Sequence, residues 1–228
     1  APGGALATAC AIAAVFLVHV AQVFSPWQEW HVQSPGRSPF LGEIALLVWP
    51  WVMPLFMLLA GSGAYYSLGR RSDREYLAER TVRILVPLLA GTALVVPPQV
   101  YVERLAQGHF QGSYLEFYPR FFSGFYPEGN LTAGHLWFLG YLFVYAAVTL
   151  PLLRWLRDGG GSRCLDRLAR LAARPGGVLR LGAVPVASQV ALRAPFPRSL
   201  AFVDDWAHHA WLLSAFLLGF VLVARPGI

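Results

Sequence analysis

The sequence predicts an all-α fold: a polytopic membrane bundle of about six transmembrane helices, forming one domain over residues 1–228. Three observations carry this. Only 13% of the residues are charged and 56% are hydrophobic, whereas soluble domains carry about 25% charged residues. Mean hydropathy is +0.50. Several apolar stretches approach the roughly 20 residues that a helix needs to cross ~30 Å of hydrocarbon. Only helices and closed barrels satisfy their backbone groups in lipid, and runs this long exclude the short alternating strands of a barrel.

The expected spans are 5–24, 43–66, 81–100, 136–153, 178–192 and 206–224. The first, containing "AIAAVFLVHVAQVF", sets His19 and Gln22 in an apolar run. The second carries Pro50 and Pro54, which should kink it. The small residues of its "AGSGAYY" let helix backbones approach. "SDRE" at 72–75 is a capping box, so a helix starts at Ser72 and runs into the third span, which Pro97-Pro98 should bend or end. The loop from Phe110 to Phe125 is dense in aromatics and suits the headgroup region. "RDGGGSR" at 157–163 reads as a flexible linker. The fifth span is the weakest, short and carrying Arg180, Pro185 and Gln189.

All 18 basic residues are arginine, and the net charge is +6. No nucleic-acid partner is needed to explain this, because arginines gather in cytoplasmic loops. With the N-terminus inside, one side holds Arg70, Arg71, Arg74, Arg80, Arg83, Arg154, Arg157, Arg163, Arg167, Arg170, Arg174, Arg180 and Arg225. The other holds Arg37, Arg104, Arg120, Arg193 and Arg198. His19 then lies near the outer end of its span, with Glu103 and His135 on the same side. Cys10 and Cys164 suggest no disulfide framework and read as structural. The N-terminus has no basic lead and no A-x-A-like cleavage site; it reads as a trimmed beginning rather than a signal peptide.

Ionisable groups inside spans are rare and point to function, although a helix–helix hydrogen bond is the bland alternative. An imidazole suits proton transfer near neutral pH, and Glu103 is a partner that would hold its second nitrogen. Arg80 and Arg83, three apart in "ERTVRILVP", share an α-helical face and suit phosphate; the rival reading is membrane anchoring. Arg70 and Arg71 would assist the pair. "DDWAHH" at 204–209 spaces carboxylate–histidine pairs as a metal site would, but acidic residues at a helix N-terminus suit its dipole. We favour the dipole reading and expect no metal.

The histidine late in the first span, "PLFMLLAGSGAYYSL", the basic loop into "RTVRILVPLL", "VPPQVYVERL" and "HLWFLGYLFVY" occur in that order. This arrangement resembles the acyltransferase-3 family of integral membrane O-acyltransferases, particularly its glucan-modifying branch. The resemblance implies transfer of an acetyl or succinyl group from acyl-CoA, used as a substrate with no bound cofactor, to a hydroxyl of a carbohydrate or glycolipid acceptor. It also implies a bacterial inner membrane location, a catalytic role for His19 and a donor-binding role for Arg80 and Arg83. Glu103 and His135 are the next candidates for the base, and Arg70 for the donor site. The chain differs from the family in its lead, "APGGALATACA" in place of an arginine-bearing segment. About six spans stand where the family has about ten, so the chain reads as a partial member. Two rivals remain: a transporter or flippase for a lipid-linked sugar, with His19 as a proton relay, and a non-catalytic subunit of polysaccharide export. The prolines of spans two and three have no counterpart in five and six, which counts against the transporter.

Overall fold

A computed structural model describes residues 2–27, 30–197 and 202–225; Arg198 lies outside the described residues. The chain forms α1 (Pro2–Gln22), α2 (Pro39–Leu68), α3 (Asp73–Arg80), a π turn (Thr81–Leu85), α4 (Val86–Leu94), α5 (Val96–Ala106) and α6 (Tyr114–Phe121). A 3₁₀ turn (Gly134–Leu136) then leads into α7 (Trp137–Val148), α8 (Leu150–Arg157), α9 (Ser162–Ala172), α10 (Gly177–Leu192) and α11 (Trp206–Ala224). The only β pairing among the described residues is an isolated bridge, Phe125 with Leu131.

The all-α membrane architecture holds. Pro39–Leu68, Asp73–Ala106 and Trp206–Ala224 are long and apolar enough to cross. Gly134–Val148 with Leu150–Arg157 makes a fourth if taken as one span bent by 53°. The first expected span lies in α1, 21 residues long from Pro2 to Gln22, and the fifth is helical but short, Leu179–Leu192.

Proline explains the interruptions, because it lacks an N–H and crowds the preceding turn. The break at Val95 precedes Pro97-Pro98, and the bend at Thr149 precedes Pro151. There the Thr149 hydroxyl also donates to the Tyr145 carbonyl at 2.6 Å. By contrast, α2 continues unbroken through Pro50 and Pro54. The π turn departs from the regular helix expected there. Pro87 has no N–H for the carbonyl four residues back, that of Arg83, and the Val86 N–H reaches five residues back to Thr81. Turns of this kind are rare and recur at functional sites.

Two compact units emerge. The first comprises Ala1–Ala14, Pro50–Glu79 and Val144–Ile228. In it the glycine motif acts structurally. A Cβ on Gly61 would run into the Phe216 carbonyl, and one on Gly219 into that of Leu58, whereas Gly63 faces open space. Ser62 Oγ donates to the Leu58 and Gly219 carbonyls at 3.0 and 2.9 Å. Arginines meet carbonyls at and just beyond the C-terminal end of α2. Arg154 donates to Leu68 at 3.0 Å and to the Arg71 carbonyl at 2.6 Å, and pairs with Asp73. Arg157 donates to the Tyr65 carbonyl at 3.2 Å and lies over its ring. The Ser72–Glu75 capping box is present, the Ser72 N–H donating to Glu75 at 2.8 Å. The expected flexible linker is instead a tight turn, with Gly159 at φ +102° and the Gly161 N–H donating to the Trp155 carbonyl at 2.9 Å. It opens α9, which buries Leu165 and Ala172. Cys10 and Cys164 are free and exposed.

The second unit comprises Val15–Trp49 and Arg80–Phe143. Val18, Ala21 and Ala45 form one small core in it, and Val96, Val100, Phe110, Phe117 and Phe121 another. The aromatic loop therefore divides. Part of it is α6, started by a further capping box at Ser113–Glu116 and packed on α5, while Leu115 and Phe125 stay 81% and 79% exposed. The Ser113 N–H and hydroxyl hold the Glu116 carboxyl below its usual range.

Candidate active site

Three histidines of the second unit are fixed the same way. In α1, His19 Nδ1 lies 2.7 Å from the Val15 carbonyl oxygen, one turn back. A carbonyl only accepts, so Nδ1 carries the proton and Nε2 is the nitrogen that can take one. His135, exposed in the 3₁₀ turn, directs Nδ1 to Gln99 Oε1 at 3.1 Å. His31, in the connection between α1 and α2, directs Nδ1 to Glu103 Oε2 at 2.5 Å. His19 and His31 are both within electrostatic reach of His135.

The expected His19–Glu103 pair does not form. The His19 nitrogen that a carboxylate would hold is engaged by its own helix, and His31 reaches Glu103 from the loop instead. Gln22, about one turn on from His19, is likewise not the group on Nδ1. Glu103 is 1% exposed and well supplied with donors. Besides His31 it receives the Tyr126 hydroxyl at 2.9 Å and Gln107 Nε2 at 3.3 Å, as a buried carboxylate requires. Arg104 holds the loop that brings Tyr126 there. It donates to Asn130, Pro127 and Gly129 at 2.9, 2.8 and 2.6 Å and lies over the Tyr126 ring. The Trp30 indole stands 5.5 Å from the His19 ring and 5.3 Å from that of His31, and Trp49 lies 6.0 Å from His19.

Arg80 and Arg83 stand near the start of the run Asp73–Ala106 and Glu103 near its end, about 30 Å apart at 1.5 Å per residue. Arg80 is half-buried and Arg83 exposed. The π turn between them is wider than an α turn, so three residues close less of it and the expected common face is opened. Arg70 is exposed in the turn after α2. "DDWAHH" serves the helix start, as favoured. Asp205 caps α11, accepting from the His208 N–H, and pairs with Arg193 at 2.9 Å. Among the described residues no group of three His, Cys, Asp or Glu side chains is placed to hold a metal ion.

These features describe an all-helical integral membrane protein with a cluster of tautomer-fixed histidines. Residues 7–222 match the acyltransferase-3 family, described as an acyltransferase domain. The chain belongs to that family. It is 24% identical over 144 residues to Glucans biosynthesis protein C of Escherichia coli O6:K15:H31 (strain 536 / UPEC), a stretch covering 61% of this chain and 35% of that protein. The chain thus spans about a third of the length of this relative. No solved structure matches it.

Proposed function

We propose that the protein transfers an acyl group, acetyl or succinyl, from acyl-CoA to a hydroxyl of a surface or periplasmic carbohydrate at the bacterial inner membrane. The observation that carries the chemistry is the anchored His19 Nδ1, which leaves Nε2 as the lone-pair nitrogen of a general base. In this scheme Nε2 takes the acceptor proton while the hydroxyl oxygen attacks the thioester carbonyl. The tetrahedral intermediate collapses, the C–S bond breaks and the CoA thiolate leaves with the electron pair. His19 returns its proton to the thiolate or to water. Arg80 and Arg83 hold CoA phosphates with their guanidinium forks, and the acyl-bearing arm threads between the helices toward His19. Family membership and the relative named for glucan biosynthesis support the reaction class and a carbohydrate acceptor.

Mass spectrometry of surface glycans with and without the full-length gene tests the reading. Loss of acyl esters is expected; unchanged esters with altered glycan export favour the transporter. The arginine distribution supports a cytoplasmic N-terminus. In a chain freed of Cys10 and Cys164, Ser38→Cys should label from outside intact cells and Ser72→Cys should not; the reverse pattern inverts the orientation.

A further inference from the structure

His31 is the most firmly held of the three rings. Its partner is a carboxylate 72 residues away, buried and fed by three donors. Because a carboxylate accepts only, the neutral ring is fixed with Nε2 as its accepting nitrogen, as an aspartate fixes the histidine of a serine-protease triad. The His31 side chain nonetheless remains 24% exposed. The Trp30 indole packs against both this ring and that of His19, at 5.3 and 5.5 Å. A carbohydrate offers an apolar face of C–H groups edged with directional hydroxyls. An aromatic ring flanked by two fixed imidazole acceptors complements both features.

We propose that His31 binds the acceptor: its Nε2 accepts a hydrogen bond from the carbohydrate hydroxyl neighbouring the one that His19 deprotonates, and Glu103 is the positioning residue that fixes the ring for this. The assignment rests on the reading of the protein as an acyltransferase to carbohydrate.

Two amide substitutions separate binding from packing. His31→Asn sets an amide N–H where Nδ1–H was, keeping the bond to Glu103 and removing Nε2. His31→Gln sets the amide near Nε2 and gives up the Glu103 bond. The measurement is equilibrium binding of a linear β-glucan oligosaccharide to the full-length protein with no acyl donor, followed by transfer kinetics. His31→Asn should weaken oligosaccharide binding about tenfold, the scale of one hydrogen bond, with normal melting and an unchanged KM for acyl-CoA. His31→Gln should retain more of the binding. The proposal is overturned if His31→Asn binds the oligosaccharide as the parent does, or if it lowers kcat with acceptor KM unchanged. It is also overturned if only His31→Gln loses binding, since the Glu103 bond alone would then matter. Weaker sugar binding in His31→Asn, together with glycans that carry no acyl esters, would support this assignment and reject acyl transfer.

Discussion

His209 of the first unit and His31 of the second share one feature: each ring has an oxygen partner within 3 Å. They differ in what is left over. His209 donates from Nε2 to the Phe202 carbonyl at 2.6 Å, and its Nδ1 faces the Tyr145 hydroxyl at 2.9 Å, so both nitrogens are engaged within the protein. His31, like His19 and His135, is anchored through Nδ1 alone. In the first unit arginines close carbonyls, Ser62 bridges two backbones and Asp205 caps a helix. The second has such contacts too, at Arg104 and Ser113, and adds fixed rings that retain an acceptor nitrogen. A polar side chain in an apolar chain therefore signals function only when its hydrogen-bonding capacity exceeds what the fold uses.

The contrast breaks first at His19. His19→Gln keeps a polar side chain but cannot accept a proton near neutral pH, so acyl transfer should fall at least about 100-fold with normal expression and melting. Retention of most activity would make His19 a packing residue like His209 and move the base to His135 or Glu103.

Next comes the first unit, where changes should act on stability. Gly61→Ala drives a methyl into the Phe216 carbonyl and should destabilise by at least about 2 kcal/mol, read as a lower melting temperature in detergent. Activity per folded molecule should stay unchanged; a specific loss would place the glycine motif in the chemistry.

A smaller effect is expected at the arginines of the second unit. Arg80→Ala and Arg83→Ala should raise the KM for acyl-CoA about tenfold, as for loss of a charge-assisted hydrogen bond, and leave acceptor KM alone. If only acceptor KM rises, they are anchors.

The smallest shift belongs to Ser113→Ala, which removes the cap of α6. Because the folded Glu116 carboxyl is held below its usual range by Ser113, its contribution is present above the ordinary carboxylate pKa and fades as pH falls through the lowered one. The gap between the melting temperatures of parent and variant should narrow on acidification, by the part that the Ser113 hydroxyl contributes to the Glu116 carboxylate. A gap that widens in acid refutes the coupling.

How much of this is legible in the sequence depends on distance along the chain. His19 is legible because one ionisable ring interrupts an apolar run, and the Ser72–Glu75 cap because its two ends are three residues apart. Glu103 stands out as a carboxylate beside an apolar span, but its partner does not. Nothing local marks His31 as its mate, since 72 residues intervene and the ring lies in a loop without periodicity. The π turn leaves one trace, Pro87 four residues after Arg83. The α9 helix is hidden by the glycines and arginines around it, although Leu165, Leu168 and Ala172 recur at helical spacing.

The π turn has a consequence for the far end of its own helical run. The wider turn absorbs one extra residue, so everything after it sits about 100° behind the phase that a regular α-helix of the same sequence would give, like a gear offset by a tooth. Glu103, some 20 residues downstream, faces His31 in the presence of that offset. The turn thereby sets the bearing of the carboxylate. Deleting Val82 should let the turn close as an ordinary α turn with that bearing kept, so a structure of the variant should retain the 2.5 Å bond between His31 and Glu103, and its loss would refute the offset.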